Sequence, residues 1–157
     1  MNVRLVARVA VLCGATVCPG CPPSSDFDNA AADITPRKVW RASGSLRDPA
    51  KAIDGDLSTA AVSGNSGTNA YIEVDLGKAC VFNRIIVEHG PDEQGFPARM
   101  AVYTSLDGQT FTLRGEFAGK RSVTNALLLS PALARYVRLQ VVSAGARPLS
   151  VAEIHLQ

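Results

Sequence analysis

The sequence predicts an all-β fold, an antiparallel β-sandwich, on three observations. Short runs of alternating apolar and polar residues recur from Trp40 to the C-terminus. Gly, Pro, Asn and Asp separate them, and no stretch carries the three-to-four-residue apolar spacing of an amphipathic helix. Residues 39–43 form the first expected strand. Residues 71–76 alternate, with Ile72, Val74 and Leu76 on one face, and residues 82–88 are rich in β-branched side chains. Met100, Val102, Thr104 and Leu106 share one face of the next run. Asp107-Gly108 reads as a two-residue hairpin turn into residues 111–117. Residues 126–129 make a short apolar strand, and Ser130-Pro131-Ala132-Leu133 suits a single helical turn. Residues 136–142 alternate again with Val137, Leu139 and Val141 inward. Residues 149–156 close the chain with Ala152, Ile154 and Leu156 on one side. Trp40 and Tyr71 fall within strands and are expected in the core.

The chain has 157 residues, enough for one domain and a short leader, and 46% hydrophobic content supplies one core. The formal net charge is +2, and Arg4 and Arg8 carry both excess charges, so the remainder is neutral. A neutral domain has neither the basic footprint that nucleic acid requires nor the polybasic run that anionic lipid attracts. Arg4 and Arg8 precede a short apolar run at 9–17, far below the roughly 18 residues a membrane-spanning helix needs. Cys18-Pro19-Gly20-Cys21 follows. This pattern is a processing signature: residues 1–21 are expected to be a signal peptide. Gly20-Cys21 resembles a bacterial lipoprotein cleavage box, with Cys18 where that box usually has Leu. Lipidation at Cys21 would tether the chain to a membrane surface, which makes it an exported protein of the bacterial outer membrane or cell surface, or otherwise periplasmic or secreted. Residues 22–37, rich in Pro, Ser, Asp and Ala, read as a flexible tether, and residues 38–157 as the domain. Cys80 is the one cysteine within that domain. It is expected to be a small buried hydrophobe without an internal disulfide.

Ala52-Ile53-Asp54-Gly55-Asp56-Leu57-Ser58-Thr59 packs two carboxylates, hydroxyls and a glycine into one loop. Asp54, Asp56 and Thr59 supply the oxygens that a hard cation such as calcium takes. The loop is not an EF-hand, because counting from Asp54 puts Thr59 at the glycine position and Asn65 at the glutamate position. The same residues would also serve as a polar turn closed by its own side-chain hydrogen bonds.

Four segments in order carry a family resemblance: 52–59, the run Tyr71-Ile72-Glu73-Val74-Asp75-Leu76-Gly77, then Ser105-Leu106-Asp107-Gly108, then Ala134-Arg135-Tyr136-Val137-Arg138-Leu139. Ala152-Glu153-Ile154 is a fifth, weaker match. Over residues 38–157 the set resembles the coagulation factor 5/8 type C (discoidin) domain, a galactose-binding-like carbohydrate-binding module. The lack of a cysteine pair is similar to its bacterial branch. The resemblance implies an eight-stranded antiparallel jelly-roll β-sandwich with binding loops at one tip. It also implies a structural calcium held by Asp54, Thr59 and Glu153, with carbonyls of Lys51, Asp56 and Ala152 as helpers. Two positions depart from the family pattern: Ala61 and Tyr71 stand where it commonly has Trp.

Sugar recognition needs an aromatic face for ring C–H groups and polar forks for hydroxyls. The expected loops offer Arg47, Asn69, His89, Phe96 and Arg121. Phe96, before Pro97, more often serves as a loop anchor packed into the core. Catalysis is not expected, because His89 and His155 are the only histidines and neither lies in a nucleophile motif, a phosphate loop or a paired-histidine metal motif. The expected function is a non-catalytic carbohydrate-binding module on an envelope lipoprotein, monomeric, with a glycan partner, contacting membrane only through its lipid anchor and binding no nucleic acid. A protein- or envelope-adhesion module without sugar selectivity is the alternative.

Overall fold

The computed structural model describes residues 34–157 apart from Ser66; the expected signal peptide at 1–21, its Cys21 and residues 22–33 of the expected tether lie outside them. Eight strands follow in the order β1 (Arg41–Gly44), β2 (Ala61–Val62), β3 (Tyr71–Glu88), β4 (Arg99–Ser105), β5 (Thr112–Ala118), β6 (Val123–Ser143), β7 (Ser150–Val151) and β8 (Glu153–Leu156). Two 3-10 turns, Arg37–Val39 and Pro49–Ala52, are the only helical elements among the described residues. All pairings are antiparallel, and the fold is a jelly-roll β-sandwich.

Two long strands organise it. The sheet runs β1-β3-β6-β4-β5, with β8 added to the far half of β3, and β2 pairs with β7 apart from it. The first half of β3 (71–75) pairs with the last part of β6 (136–140), and its second half (84–88) pairs with the first part of β6 (123–127) and with β8. Register breaks between Asp75 and Cys80 and between Phe82 and Arg84 divide the halves. Gly77, at φ 83°, turns the chain at the first break, and its amide donates to Asp75 Oδ1 at 2.8 Å. The second break switches the inward parity, from Ile72, Val74, Leu76, Cys80 and Phe82 to Ile85 and Val87. The expected strands at 71–76 and 82–88 are thus one strand with bulges. Those at 126–129 and 136–142 are likewise joined, because Ser130 to Leu133 is extended backbone, with Val81 and Phe82 paired to Leu133 and Ala132. No helical turn forms there.

The inward faces close a single core of Trp40, Ile72, Val74, Leu76, Phe82, Ile85, Met100, Val102, Leu139 and Ile154. Cys80 is wholly buried and free, as the sequence predicts. Trp40 is buried, and its indole N–H donates to the Thr35 carbonyl at 3.0 Å. Thr35 in turn donates its hydroxyl to the Leu76 carbonyl, so residues expected in the tether are docked on the domain. Between β4 and β5 the chain makes a loop at 106–111 instead of a two-residue turn. Asp107 shapes it: Oδ1 accepts the amides of Gln109 and Thr110 and the Ser105 hydroxyl, each at 2.8 Å. These bonds pull the Asp107 carboxyl down to about 2. Leu106 is left 58% exposed instead of continuing the buried face.

Candidate functional site

The loop after the Pro49–Ala52 turn closes on itself. Asp54 Oδ1 accepts the Asp56 amide at 2.9 Å, and Asp54 Oδ2 accepts the Thr59 hydroxyl at 2.8 Å. Asp56 Oδ1 accepts the Ser58 amide and hydroxyl at 2.8 and 2.6 Å, and the hydroxyl bond above all holds the Asp56 carboxyl below its ordinary value. Gly55, at φ 86°, turns its amide to donate to Glu153 Oε1. The fold therefore does bring Glu153 on β8 to this loop, across 98 residues of sequence.

Glu153 is 2% exposed, and its second oxygen is engaged by the Arg37 guanidinium. Arg37 Nη2 also donates to the Ile154 carbonyl at 2.9 Å and reaches His155 Nδ1 at 2.6 Å. Because a guanidinium only donates, His155 Nδ1 accepts, and its Nε2–H is left to donate to Glu88 Oε1 at 2.8 Å. These donors do not fit a calcium ion. Both Glu153 oxygens already carry N–H donors, and Asp54 is spent inside its own turn. No three His, Cys, Asp or Glu side chains among the described residues are grouped to hold a metal. Asp54, Asp56 and Thr59 adopt the polar-turn alternative instead.

The five residues expected to contact sugar separate. His89 is fully buried, which corrects its placement on a binding loop. Its Nδ1–H donates to the Ser150 carbonyl at 2.7 Å, and its Nε2 accepts from Thr124 Oγ1 at 2.8 Å. Its backbone carbonyl accepts the Ser150 hydroxyl at 2.8 Å. With both nitrogens used and no exposed surface, it positions loops and has no face for a ligand. Burial first of all lowers its pKa. Phe96 is half-buried, with its ring 6.1 Å from that of His89. Arg121 is exposed and pairs with Glu93 at 2.9 Å. Arg47 is exposed, and its backbone bridges to Val62. Asn69 is exposed at φ 69°, and its Oδ1 accepts from Gln140 Nε2 at 3.3 Å.

Of these five, Asn69 lines a cleft. With Ser45, Ser63, Asn65, Thr68 and Ala70 it bounds a depression of about 360 Å³ without a charged side chain. Ser45 Oγ accepts the Tyr71 amide at 2.9 Å and Ser63 Oγ accepts the Leu149 amide at 2.9 Å, so these hydroxyls fix the rim. The Thr68 hydroxyl and the Nδ2 groups of Asn65 and Asn69 hold no hydrogen bond to another described residue. The adjacent Tyr71 ring is covered by the Arg138 guanidinium at 5.1 Å, which also lies 3.8 Å over Phe111 and is fixed by Glu73 at 2.7 and 2.9 Å. Ser45, Ser63, Thr68 and Gln140 were not expected here, because single hydroxyls and amides carry no motif. A second depression, about 480 Å³, lies between Leu57, Glu88, Pro91, Glu93 and Val123.

A sequence model described as the F5/8 type C domain matches residues 31–154. Among solved structures, the family 32 carbohydrate-binding module of Clostridium perfringens NanJ, in complex with galactose, superposes with a TM-score of 0.66 at 23% identity, over 77% of this chain and 95% of that one. A second Clostridium perfringens family 32 module, in complex with GalNAc-β-1,3-galactose, gives 0.66 at 16% identity over 79% and 99%. Chitosan-binding module 1 of a Paenibacillus sp. IK-5 chitosanase/glucanase gives 0.63 at 20% identity over 81% and 96%. A search of curated proteins gives no match. With the matched segment covering most of its length and the jelly-roll shared with these modules, the chain belongs to the F5/8 type C domain family.

Proposed function

We propose that this domain is a non-catalytic carbohydrate-binding module whose glycan sits in the cleft between Ser45 and Asn69. The observation that carries this reading is the cleft's chemistry: hydroxyl and amide groups, three of them without a partner among the described residues, and no charged side chain. Neutral glycans offer many hydroxyls that both donate and accept, and such a lining matches them. The similarity to modules that bind galactose, GalNAc-β-1,3-galactose and chitosan supports it. With Tyr71 covered, the grip rests on hydrogen bonds and suits weak, reversible capture. Neither histidine lies beside an acid and a free nucleophile: His89 is sealed by Ser150 and Thr124, and His155 lies between Arg37 and Glu88. The test is titration of galactose, N-acetylgalactosamine, their oligomers and chitosan oligosaccharides into the protein. Asn69→Gly tolerates the positive φ, so it should lower affinity on the order of tenfold, one lost charge-free hydrogen-bond group or two, with an unchanged melt. Undiminished affinity in that variant would remove the cleft from the site.

A second reading, protein or envelope adhesion, is favoured by one feature. Leu127, Leu129 and Leu133 on β6 and Val81 on β3 point outward, 55%, 103%, 47% and 37% exposed. Silence towards all glycans with retained binding to envelope proteins would select it. In either case the leader argues for export and anchoring by acylated Cys21, checked by radiolabelled palmitate incorporation that Cys21→Ser abolishes.

A further inference from the structure

We infer that Arg37 is a built-in replacement for a metal ion: its guanidinium supplies the positive charge that fastens the Asp54–Thr59 loop to the last strand, so the domain holds this joint without calcium. The inference is independent of the glycan reading.

Glu153 is a carboxylate at 2% exposure, and such a group stays ionised in a protein interior only when paired. One oxygen takes the Gly55 amide, which is the physical link between loop and strand. That neutral donor cannot balance the charge. The balance comes from Arg37, on the short 3-10 turn that opens the domain, through Glu153 Oε2. The placement of Arg37 is over-determined. Its Nη2 bonds the Ile154 carbonyl and His155 Nδ1, its guanidinium lies 5.8 Å from the Trp40 ring centroid, and Trp40 is itself anchored to Thr35. A planar guanidinium fixed on three acceptors of one strand serves as a preorganised cation, its donors aimed at the oxygens. The loop side agrees. Asp54 and Thr59 bond each other at 2.8 Å, and Asp56 Oδ1 accepts from Ser58, so the loop closes through its own side chains. Glu88, the other acid of the cluster, is answered by His155.

The test is a set of thermal melts on the full chain. Native protein in excess calcium and in excess chelator should melt within about 1 °C of each other, since an ion that does not bind the folded state cannot stabilise it. Arg37→Met keeps an unbranched side chain of similar reach and strands the Glu153 charge, and it should lower the melting temperature on the order of 10 °C. Arg37→Met with Glu153→Gln retains an oxygen for the Gly55 amide and removes the stranded charge, and it should recover at least half of that loss. If the single variant does not fold, folding of the double variant carries the same meaning. Stabilisation of the native chain by several degrees in calcium would overturn the inference. So would a single variant that melts like the native chain, or a double variant no more stable than the single one.

Discussion

Asp75 and Arg135 meet through two parallel hydrogen bonds of 2.7 and 2.8 Å, joining β3 to β6 where the first register break begins. Asp75 Oδ1 also accepts the Gly77 amide, so one carboxylate fixes the turn and the strand pairing together. The Arg135 bond, above all, depresses the Asp75 carboxyl. Since the folded value lies below the unfolded 3.8, this pair's stabilisation is complete above that pH and is lost as pH falls through the folded value. Asp75→Asn should melt below the native chain at pH 7, and the gap should close in strong acid; a gap independent of pH would show that the charge is unimportant.

His89 sets a second pH dependence with a different window. Its folded pKa is depressed by burial below the ordinary 6.5. Between those values the unfolded chain binds the proton and the folded one does not, so stability falls as pH drops below 6.5 and levels off under the folded pKa. Protonation would also set an Nε2–H against Thr124 Oγ1, forcing that hydroxyl to turn towards the Lys120 carbonyl 3.5 Å away. Melting curves of native protein between pH 7 and 5 should shift downward. His89→Gln, less stable at pH 7, should lose that part of the slope. An equal slope in both proteins would assign the titration elsewhere.

Gly145 and Gly119 flank the Phe96-Pro97 segment so closely that a Cβ on Gly145 would overlap the Phe96 carbonyl oxygen, and one on Gly119 the Pro97 carbonyl. Gly145→Ala should therefore part the loops around Phe96 and cost about 1–3 kcal/mol in denaturant unfolding. A cost of a few tenths would mean that the two loops slide freely.

Ala61 occupies the position where the family commonly has Trp. It is wholly buried on β2, paired with Val151, and belongs to the same core as Trp40. Ala61→Trp should destabilise by about 1–3 kcal/mol or more through overpacking, and it should not rescue Trp40→Ala. A stabilised variant would reveal an unfilled core instead.

The strand positions and the inward faces of the long strands were legible because period-two alternation survives in Ile72, Val74 and Leu76 and in Val137, Leu139 and Val141. What escaped were departures from regularity. Bulges join runs that a sequence pattern shows as separate strands, as at Ser130 to Leu133, and Ala61–Val62 is too short to show any period. Asp107-Gly108 signals a turn but not its width, which side-chain bonds to Gln109 and Thr110 decide. The site was harder still. Glu153 was linked to the Asp54 loop through resemblance alone. Arg37 has no signature of its role, because its partners lie 116 to 118 residues away. His89 looks like a solvated loop residue until Thr124 and Ser150 are known to enclose it.

Because β3 and β6 each run through both halves of the main sheet, the two halves are built from the same strands. Pairs such as Tyr71 with Gln140 and Glu88 with Val123 must all form before either hydrophobic face is covered. Such distant pairing makes refolding comparatively slow, in the millisecond-to-second range typical of β-sandwiches, and all-or-none. A protease cut between Glu88 and Val123 that the native molecule survives would thus leave two pieces that cannot live apart.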